Sequence, residues 1–589
     1  MSRSKTQIER LIQGALGEIK ADLIVTHGKL INVYSGEILA GMEIAVLDGR
    51  VCYVGENAAY SRGDSTEILD AEGLYISPGF IDGHTHIGHF CRPYEFLQAY
   101  LPCGTTSLMT SCDEHAAVFG YEGVRLFLDE VEKHPLRVYT LISMAAPQDP
   151  LLCNARSLSQ AEVAEGLADP RVLGLGEIVS WLRILQRDQE VLERIEMTLG
   201  QGKIIHGHTS GARDRKLGAI AAAAVSSCHE PVGEREVLER LRSGYWVMLR
   251  EGSFRRDLAP TLRPIVEREL STQRLILVTD STGPDDVQDC GHMDFVLRRA
   301  VEIGLAPIKA IQAVTLNPAT YAGLDQDIGG IAPGRFADFT LLKDLKAFEV
   351  QSTFIGGRLV ARHGESLVTG DPITVPESTK TSLHLRPTVS PEAFRIPCPS
   401  PSVKVRAMEL LNHTITRETI IQVSPVNGAV QSDPSRDLLK VAVFDRHTES
   451  GRITRGLLRG FGAKVGAVGT TVNLDEYALM VVGGNDEDMA LCANVLIQEG
   501  GGLAVVDQGV VLERISFPVG GIFSLAPWQE VGTGLKRIHR CLRERGSPFP
   551  KPIYPLFFLT FVTLPSLRIT DRGLIQVKDR KFVPLFVEE

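Results

Sequence analysis

Ile76-Ser-Pro-Gly-Phe-Ile-Asp-Gly-His84-Thr-His86-Ile87 is the stretch from which the rest of the chain can be read. The apolar residues Leu74, Tyr75 and Ile76 pass through a Pro-Gly turn into Phe80-Ile81, which reads as a strand start. Side chains alternate between the faces of a strand, so His84 and His86 share one face. Two imidazoles so placed are a natural half of a metal site. The competing reading is a pair of ordinary polar residues at a strand end, so the remaining ligands must be sought downstream.

At 589 residues the chain is too long for a single core and predicts about three or four domains. A hydrophobic content of 44% with 23% charged residues is that of a globular protein rather than a disordered one. The formal net charge of -10 argues against a general nucleic-acid surface. The polar start Met1-Ser-Arg-Ser-Lys-Thr-Gln lacks a signal-peptide core. No apolar run reaches the roughly 20 residues of a membrane span, so no membrane partner is expected. The ten cysteines form no Cys-x-x-Cys pair, which disfavours a zinc ribbon, a redox motif or a disulfide framework and suggests a reducing cytoplasm. It also removes half of the motif of zinc deaminases that act on nucleobases in nucleic acid.

Upstream, Leu23-Ile-Val, Lys29-Leu-Ile-Asn-Val, Glu43-Ile-Ala-Val-Leu and Val51-Cys-Tyr-Val are short strands separated by turns. Their open edges need a partner, and Gly330 to Leu342 with Ser352 to Val360 can supply it. Residues 1–75 plus 326–385 therefore form a composite β-sandwich around a central block, 76–325. In that block Ser107-Leu-Met-Thr, Arg137-Val-Tyr-Thr-Leu-Ile, Val172-Leu-Gly-Leu-Gly, Lys203-Ile-Ile-His, Ala223-Ala-Val-Ser, Trp246-Val-Met-Leu and Leu275-Ile-Leu-Val-Thr read as strands. Helical patterns alternate with them: Gly123 to Lys133, Gln189 to Leu199, Glu234 to Arg242 and Met293 to Glu302. The alternation predicts an α/β fold, a (β/α)8 barrel or a doubly wound sheet. A proline-rich stretch, 386–403, reads as a linker or an extended wrapping segment and leads to a C-terminal α/β or α+β domain, 404–589, with strands at Leu439, Ala478 and Leu503 and a helix from Asp486 to Gln498. Gly500-Gly-Gly502 lacks the lysine or frame of a phosphate loop and reads as a tight turn.

Polar residues recur where these strands end. Glu177 follows Gly174-Leu-Gly, His206 and His208 follow Ile204-Ile, His229 and Glu230 follow Ser226-Ser-Cys, and Asp280 follows Val278-Thr. With His84 and His86 they form a set able to hold two divalent metals, which would ease ionisation of a water and polarise an electrophile. Asp280 could then shuttle a proton to a leaving amine. Gly-x-Ser-x-Gly is absent and no cysteine has a base partner, so serine or cysteine nucleophiles are not signalled.

The same residues are similar to bacterial adenine deaminases of the amidohydrolase superfamily. The resemblance runs through Pro78 to Ile87, Leu101-Pro-Cys-Gly-Thr-Thr106, Gly174-Leu-Gly-Glu177, Trp246 to Ser253, Gly291-His-Met-Asp-Phe295 and Thr315-Leu-Asn-Pro-Ala319. It continues through Ile331 to Asp338, Gly483 to Met489, Gly500 to Leu503 and Thr570-Asp-Arg-Gly573. It implies a (β/α)8 metal-dependent barrel, hydrolysis of adenine to hypoxanthine and ammonia, and a homo-oligomer. Its two metals would be Mn2+ or Fe2+, with Zn2+ an alternative. The resemblance makes His84, His86, Glu177, His208, His229 and Asp280 the metal ligands, with Glu177 bridging and Asp280 also catalytic. His206 falls where the family has an acid and is placed behind the ligands, while Glu230 is a second acid-base or orienting group. Glu114, His89, Arg92 and Ser281 are candidate substrate contacts. His292 matches the family motif, with helix capping as its alternative.

Departures cluster at substrate positions. The family typically has Glu-Ser-Ser where this chain has Gly88-His89-Phe90, an acid where it has Ser281, and two histidines within the segment Val472 to Tyr477. Metal chemistry is thus retained while substrate contacts differ. The alternatives to adenine are another cyclic amidine or amide, such as a modified purine, a pterin or a hydantoin-like ring, or a non-catalytic nucleobase-binding homologue.

Overall fold

The computed structural model describes residues 3–144, 147–398, 400–448 and 450–587. Among these, eight parallel strands form the central barrel. They are β1 (Phe80–Thr85), β2 (Thr105–Ser111), β3 (Arg137–Ile142), β4 (Val172–Leu175), β5 (Ile204–Ile205), β6 (Ser227–Cys228), β7 (Trp246–Arg250) and β8 (Leu275–Val278). β1 to β5 hydrogen-bond in sequence order, as do β6 to β8. The ring closes at two seams. At one, the Asp280 amide donates to the His84 carbonyl at 3.0 Å. At the other, the Gly207 amide donates to Ser227 Oγ at 3.0 Å. A Cβ at residue 207 would lie 1.9 Å from the Ser227 carbonyl oxygen, so this close approach requires glycine. Ile81, Met109, Met248, Ile276 and Val278 fill the interior, one side chain from every second strand position.

Helices cover the outside, among them Tyr121–Val131, Gln189–Gly200, Glu234–Arg242 and Met293–Ile303, all at positions the periodicity predicts. One expected strand is absent. Ala223-Ala-Val-Ser lies at the end of helix Asp214–Ala222, and Ala224 turns the chain at φ +66° before the shorter β6. The alanine run reads as a buried strand by hydropathy, but alanine is the strongest helix former: Ala221 and Ala222 end the helix, and Ala223 and Ala224 form the turn after it.

The sandwich has a four-stranded sheet and a seven-stranded one among the described residues. In the larger sheet Phe339–Leu342 pairs antiparallel with Tyr75–Pro78, so segments from either side of the barrel join in one layer. Tyr75–Pro78 runs straight into β1, which makes the sandwich a rigid anchor for the first two histidines. A helix at Lys5–Leu16, closed by a Ser4–Gln7 capping box, was not anticipated.

In the C-terminal region a nine-stranded sheet among the described residues packs on helix Asp486–Gln498. Gly500, Gly501 and Gly502 all have positive φ and turn that helix into strand Gly502–Asp507. The proline-rich segment is not a free linker. Pro391–Phe394 is a 3-10 turn whose Phe394 is buried with Ala490 and Ala493, and Ile396–Pro397 pairs with Ala429–Val430. Its prolines give an extended chain, and apolar side chains between them tie it down.

The C-terminal region also closes over the barrel mouth. Phe90–Cys91, just past the two histidines, pairs with Phe523–Ser524. The loop Phe558 to Pro565 is held by the fully buried Arg568, which donates to the carbonyls of Leu564 at 2.9 Å, Phe558 at 2.8 Å, Thr414 at 2.6 Å and Pro565 at 2.7 Å. Arg568→Met removes the donor to the Leu564 and Thr414 carbonyls and one of the donors to Phe558 and Pro565, and is expected to destabilise the protein by about 3 kcal/mol. Calorimetry should show a lower unfolding midpoint; an unchanged midpoint would refute the clamp.

Candidate active site

All six expected ligand residues lie at the C-terminal rim of the barrel, at or within three residues of a strand end. His84 is in β1 and His86 just beyond it. Glu177, His208, His229 and Asp280 follow β4, β5, β6 and β8. Asp280 has φ +57° and Ser281 φ +130°, a turn that swings the carboxylate back over the barrel.

The structure brings the six together. Glu177 divides its oxygens: Oε1 lies 3.4 Å from His86 Nε2, and Oε2 lies 2.7 Å from His208 Nδ1 and 3.3 Å from His229 Nε2. Asp280 Oδ1 is 3.1 Å from His84 Nε2 and 3.8 Å from His86 Nε2. The His84 and His229 rings stack at 3.9 Å, and His206 also stacks on His84 at 4.8 Å. His208 Nδ1 and His229 Nε2 face each other at 3.2 Å across the same carboxylate oxygen.

This arrangement fits divalent cations. His84, His86 and Asp280 form one triad able to hold an ion, and Glu177, His208 and His229 another. Their nitrogen and oxygen donors suit first-row metals. His86 turns its other nitrogen, Nδ1, toward Glu114 at 3.8 Å and Asp113 at 3.9 Å, the outer carboxylates that commonly orient a metal-binding imidazole.

Burial disfavours charge on every member, and partners decide which charges survive. Burial would lower His86, yet Glu177, Glu114 and Asp113 hold it up to about 10. Burial opposes His208 likewise, but Glu230 and Glu177 raise it to about 9. His229 is pushed down to about 4 by burial and by His84. Against its burial, Glu177 is held well below the carboxylate range by His229 and His208. Asp280 is held down against burial by His229, His84 and Arg250.

The cavity above these groups has a volume of about 600 Å³. The barrel supplies its floor, and Asn412, Leu474, Asp475, Tyr477, Phe558 and Leu564 of the C-terminal region supply much of the wall. His89, Glu114, Glu230 and Ser281 all line it. Ser281 Oγ is buried without a protein partner among the described residues. Arg92 is a correction: the expected substrate contact is absent from the lining, and its guanidinium is taken by Glu130 at 2.6 and 3.1 Å and by the Ile373 carbonyl. Glu130 on the neighbouring helix, remote in sequence, captures the charge. His292 is also remote from the cavity lining, stacked on Tyr100 at 3.8 Å and hydrogen-bonded to Thr105 at 2.9 Å.

Sequence reasoning missed Arg250. It ends β7 and is buried, donating to Glu230, to Asp280 Oδ2 at 3.0 Å and to Asp257 at 2.9 Å. Against the burial that would raise it, Glu230 is thereby kept at about 2 by Arg250, His208 and His229. The signal was available, because a polar residue at a barrel strand's C-terminal end is the same cue that marked the other groups.

Residues 75–360 match the amidohydrolase family, and residues 413–581 match the adenine deaminase C-terminal domain. An adenine deaminase from Moorella thermoacetica is 39% identical over 98% of this chain and 97% of its own. This chain belongs to the adenine deaminase family. A second relative, the adenine deaminase of Cenarchaeum symbiosum, is 36% identical over 99% of this chain and 95% of its own. Adenine deaminase 3 of Rhizobium meliloti is 35% identical over 96% of both chains. The family is one of metal-dependent hydrolases, and this member has a cluster able to hold metal.

Asp475 lines the cavity from the C-terminal region. Its burial pushes it up to about 7, against hydrogen bonds from the Gln148 and Val562 amides. Unfolded, an aspartate titrates near ~3.9. The folded protein therefore binds a proton that the unfolded chain releases. That stabilisation is complete below pH ~4 and is lost as pH rises through about 7, a swing of ~4 kcal/mol. Asp475→Asn is expected to flatten the unfolding midpoint over this range; an unaltered pH slope would show that Asp475 does not cause it.

Proposed function

We propose that this protein hydrolyses adenine to hypoxanthine and ammonia at the rim of the barrel. The observation that carries the reading is the division of Glu177 between His86 on one side and His208 with His229 on the other, as a carboxylate shared by two cations requires. Two cations held by His84, His86, Glu177, His208, His229 and Asp280 would supply Lewis acidity and ease the ionisation of a water. Manganese or iron is the proposed metal, with zinc an alternative.

Asp280, kept ionised by its imidazole neighbours and Arg250, is placed to take a proton from the attacking water and return it to the departing amine. Glu230, a fixed anion beside it, orients the amidine edge and exchanges the second proton. Leu474, Phe558, Phe561 and Leu564 exclude bulk water from above, which strengthens each of these charge interactions. Water adds to the ring carbon bearing the amine, and that carbon's bond to nitrogen breaks as ammonia leaves.

Homo-oligomeric assembly and a cytoplasmic location belong to the same reading. Ile8, Ile12 and Leu16 form an exposed apolar stripe that assembly would cover. All ten cysteines are free thiols, as a reducing compartment allows. No described helix is long and apolar enough to cross a membrane.

The altered residues Gly88, His89 and Ser281 favour a second reading, the same chemistry on another cyclic amidine or amide. Manganese-loaded protein should release ammonia from adenine, whereas release only from other heterocycles would establish the second reading. His86→Ala and Glu177→Ala should each retain the fold by circular dichroism and lose more activity than the ~10–100-fold typical of outer-shell changes. Near-full turnover in either variant would overturn the ligand assignment.

A further inference from the structure

Glu114, which faces His86, also pairs with His89, a side chain that the metal chemistry does not use. His89 Nδ1 lies 3.2 Å from Glu114 Oε1, and the same oxygen lies 3.8 Å from His86 Nδ1. Glu114 therefore touches the proposed metal site with one contact and the cavity wall with another. A carboxylate beside Nδ1 accepts a hydrogen bond from Nδ1–H and so leaves the lone pair on Nε2. No hydrogen bond to Nε2 is formed among the described residues, and His89 lines the cavity.

The ring is held from several directions. Phe90 meets it edge-on at 4.5 Å and Phe254 lies nearly parallel at 5.8 Å. The next two residues are paired with Phe523–Ser524, and Phe90 has φ +68°. This much fixation is costly for a loop histidine with no task, and it gives the preorganisation that a recognition group needs.

Gly88 makes room for the pair. A Cβ at residue 88 would lie 2.6 Å from Glu114 Oε2 and 3.1 Å from His115 Nδ1. A side chain at this position could not coexist with Glu114 in its present rotamer, and Glu114 in turn orients His89.

We propose that His89 Nε2, with its tautomer set by Glu114, accepts a hydrogen bond from a ring N–H of the heterocycle and so determines specificity for substrates bearing one. The proposal rests on the purine reading above and deepens it. It assigns the ligand an unsubstituted azole N–H, which nucleosides and N-alkylated purines lack.

The test compares adenine with 9-methyladenine, which lacks the azole N–H, in wild-type protein, His89→Leu and His89→Asn. Binding is read by calorimetry and turnover by ammonia release, with metal content measured for each variant. His89→Leu keeps similar bulk without an acceptor and should weaken adenine binding and raise KM by about 10–100-fold. His89→Asn, whose amide oxygen can accept the same bond, should recover much of the loss. Neither substitution should alter binding of 9-methyladenine or metal content. Equal losses for both ligands, no loss with leucine, or failure of asparagine to rescue would overturn the proposal. Adenine binding with this pattern but without ammonia release would sink the deamination reading and leave the role of His89 standing.

Discussion

One carboxylate, Glu177, keeps the centre of this molecule from flying apart electrostatically. Three imidazoles crowd within 3.4 Å of its two oxygens, in a place where burial disfavours charge on all of them. A buried charge persists only when paired, and Glu177 is the pairing group that His86, His208 and His229 share. The (β/α)8 barrel is what makes this possible. Its strands deliver residues from distant parts of the chain to one rim without strain within any strand.

The rim does not end at the metal groups. Asp280 answers to Arg250, Arg250 also restrains Glu230, and Glu114 links His86 to His89. Charges are thus arranged in a chain running outward from the proposed cations to the substrate cavity. The links through Arg250 and His89 are short hydrogen bonds, so a change at one is felt by its neighbours through them rather than through long-range field.

The C-terminal region belongs to this site as much as the barrel does. It stitches the loop after His86 by strand pairing and contributes apolar wall and Asp475 to the cavity. Its clamp, Arg568, uses only backbone carbonyls, which fixes the path of a loop whatever side chains that loop carries. Such a wall can change its lining while its shape is retained.

Much of this was legible in the order of the residues. Period-two histidines, carboxylates at strand ends and the alternation of strand and helix patterns are local signals, and local signals survive in one dimension. The helix Asp486–Gln498 and the turn at Gly500 to Gly502 were readable for the same reason. Tertiary structure decided what depends on partners far along the chain. It gave Arg92 to Glu130 rather than to the cavity, buried Arg250 among three carboxylates, and turned a proline-rich segment into packed structure. A side chain's type is written in the sequence, but its charge state and direction are set by neighbours that only the fold brings near.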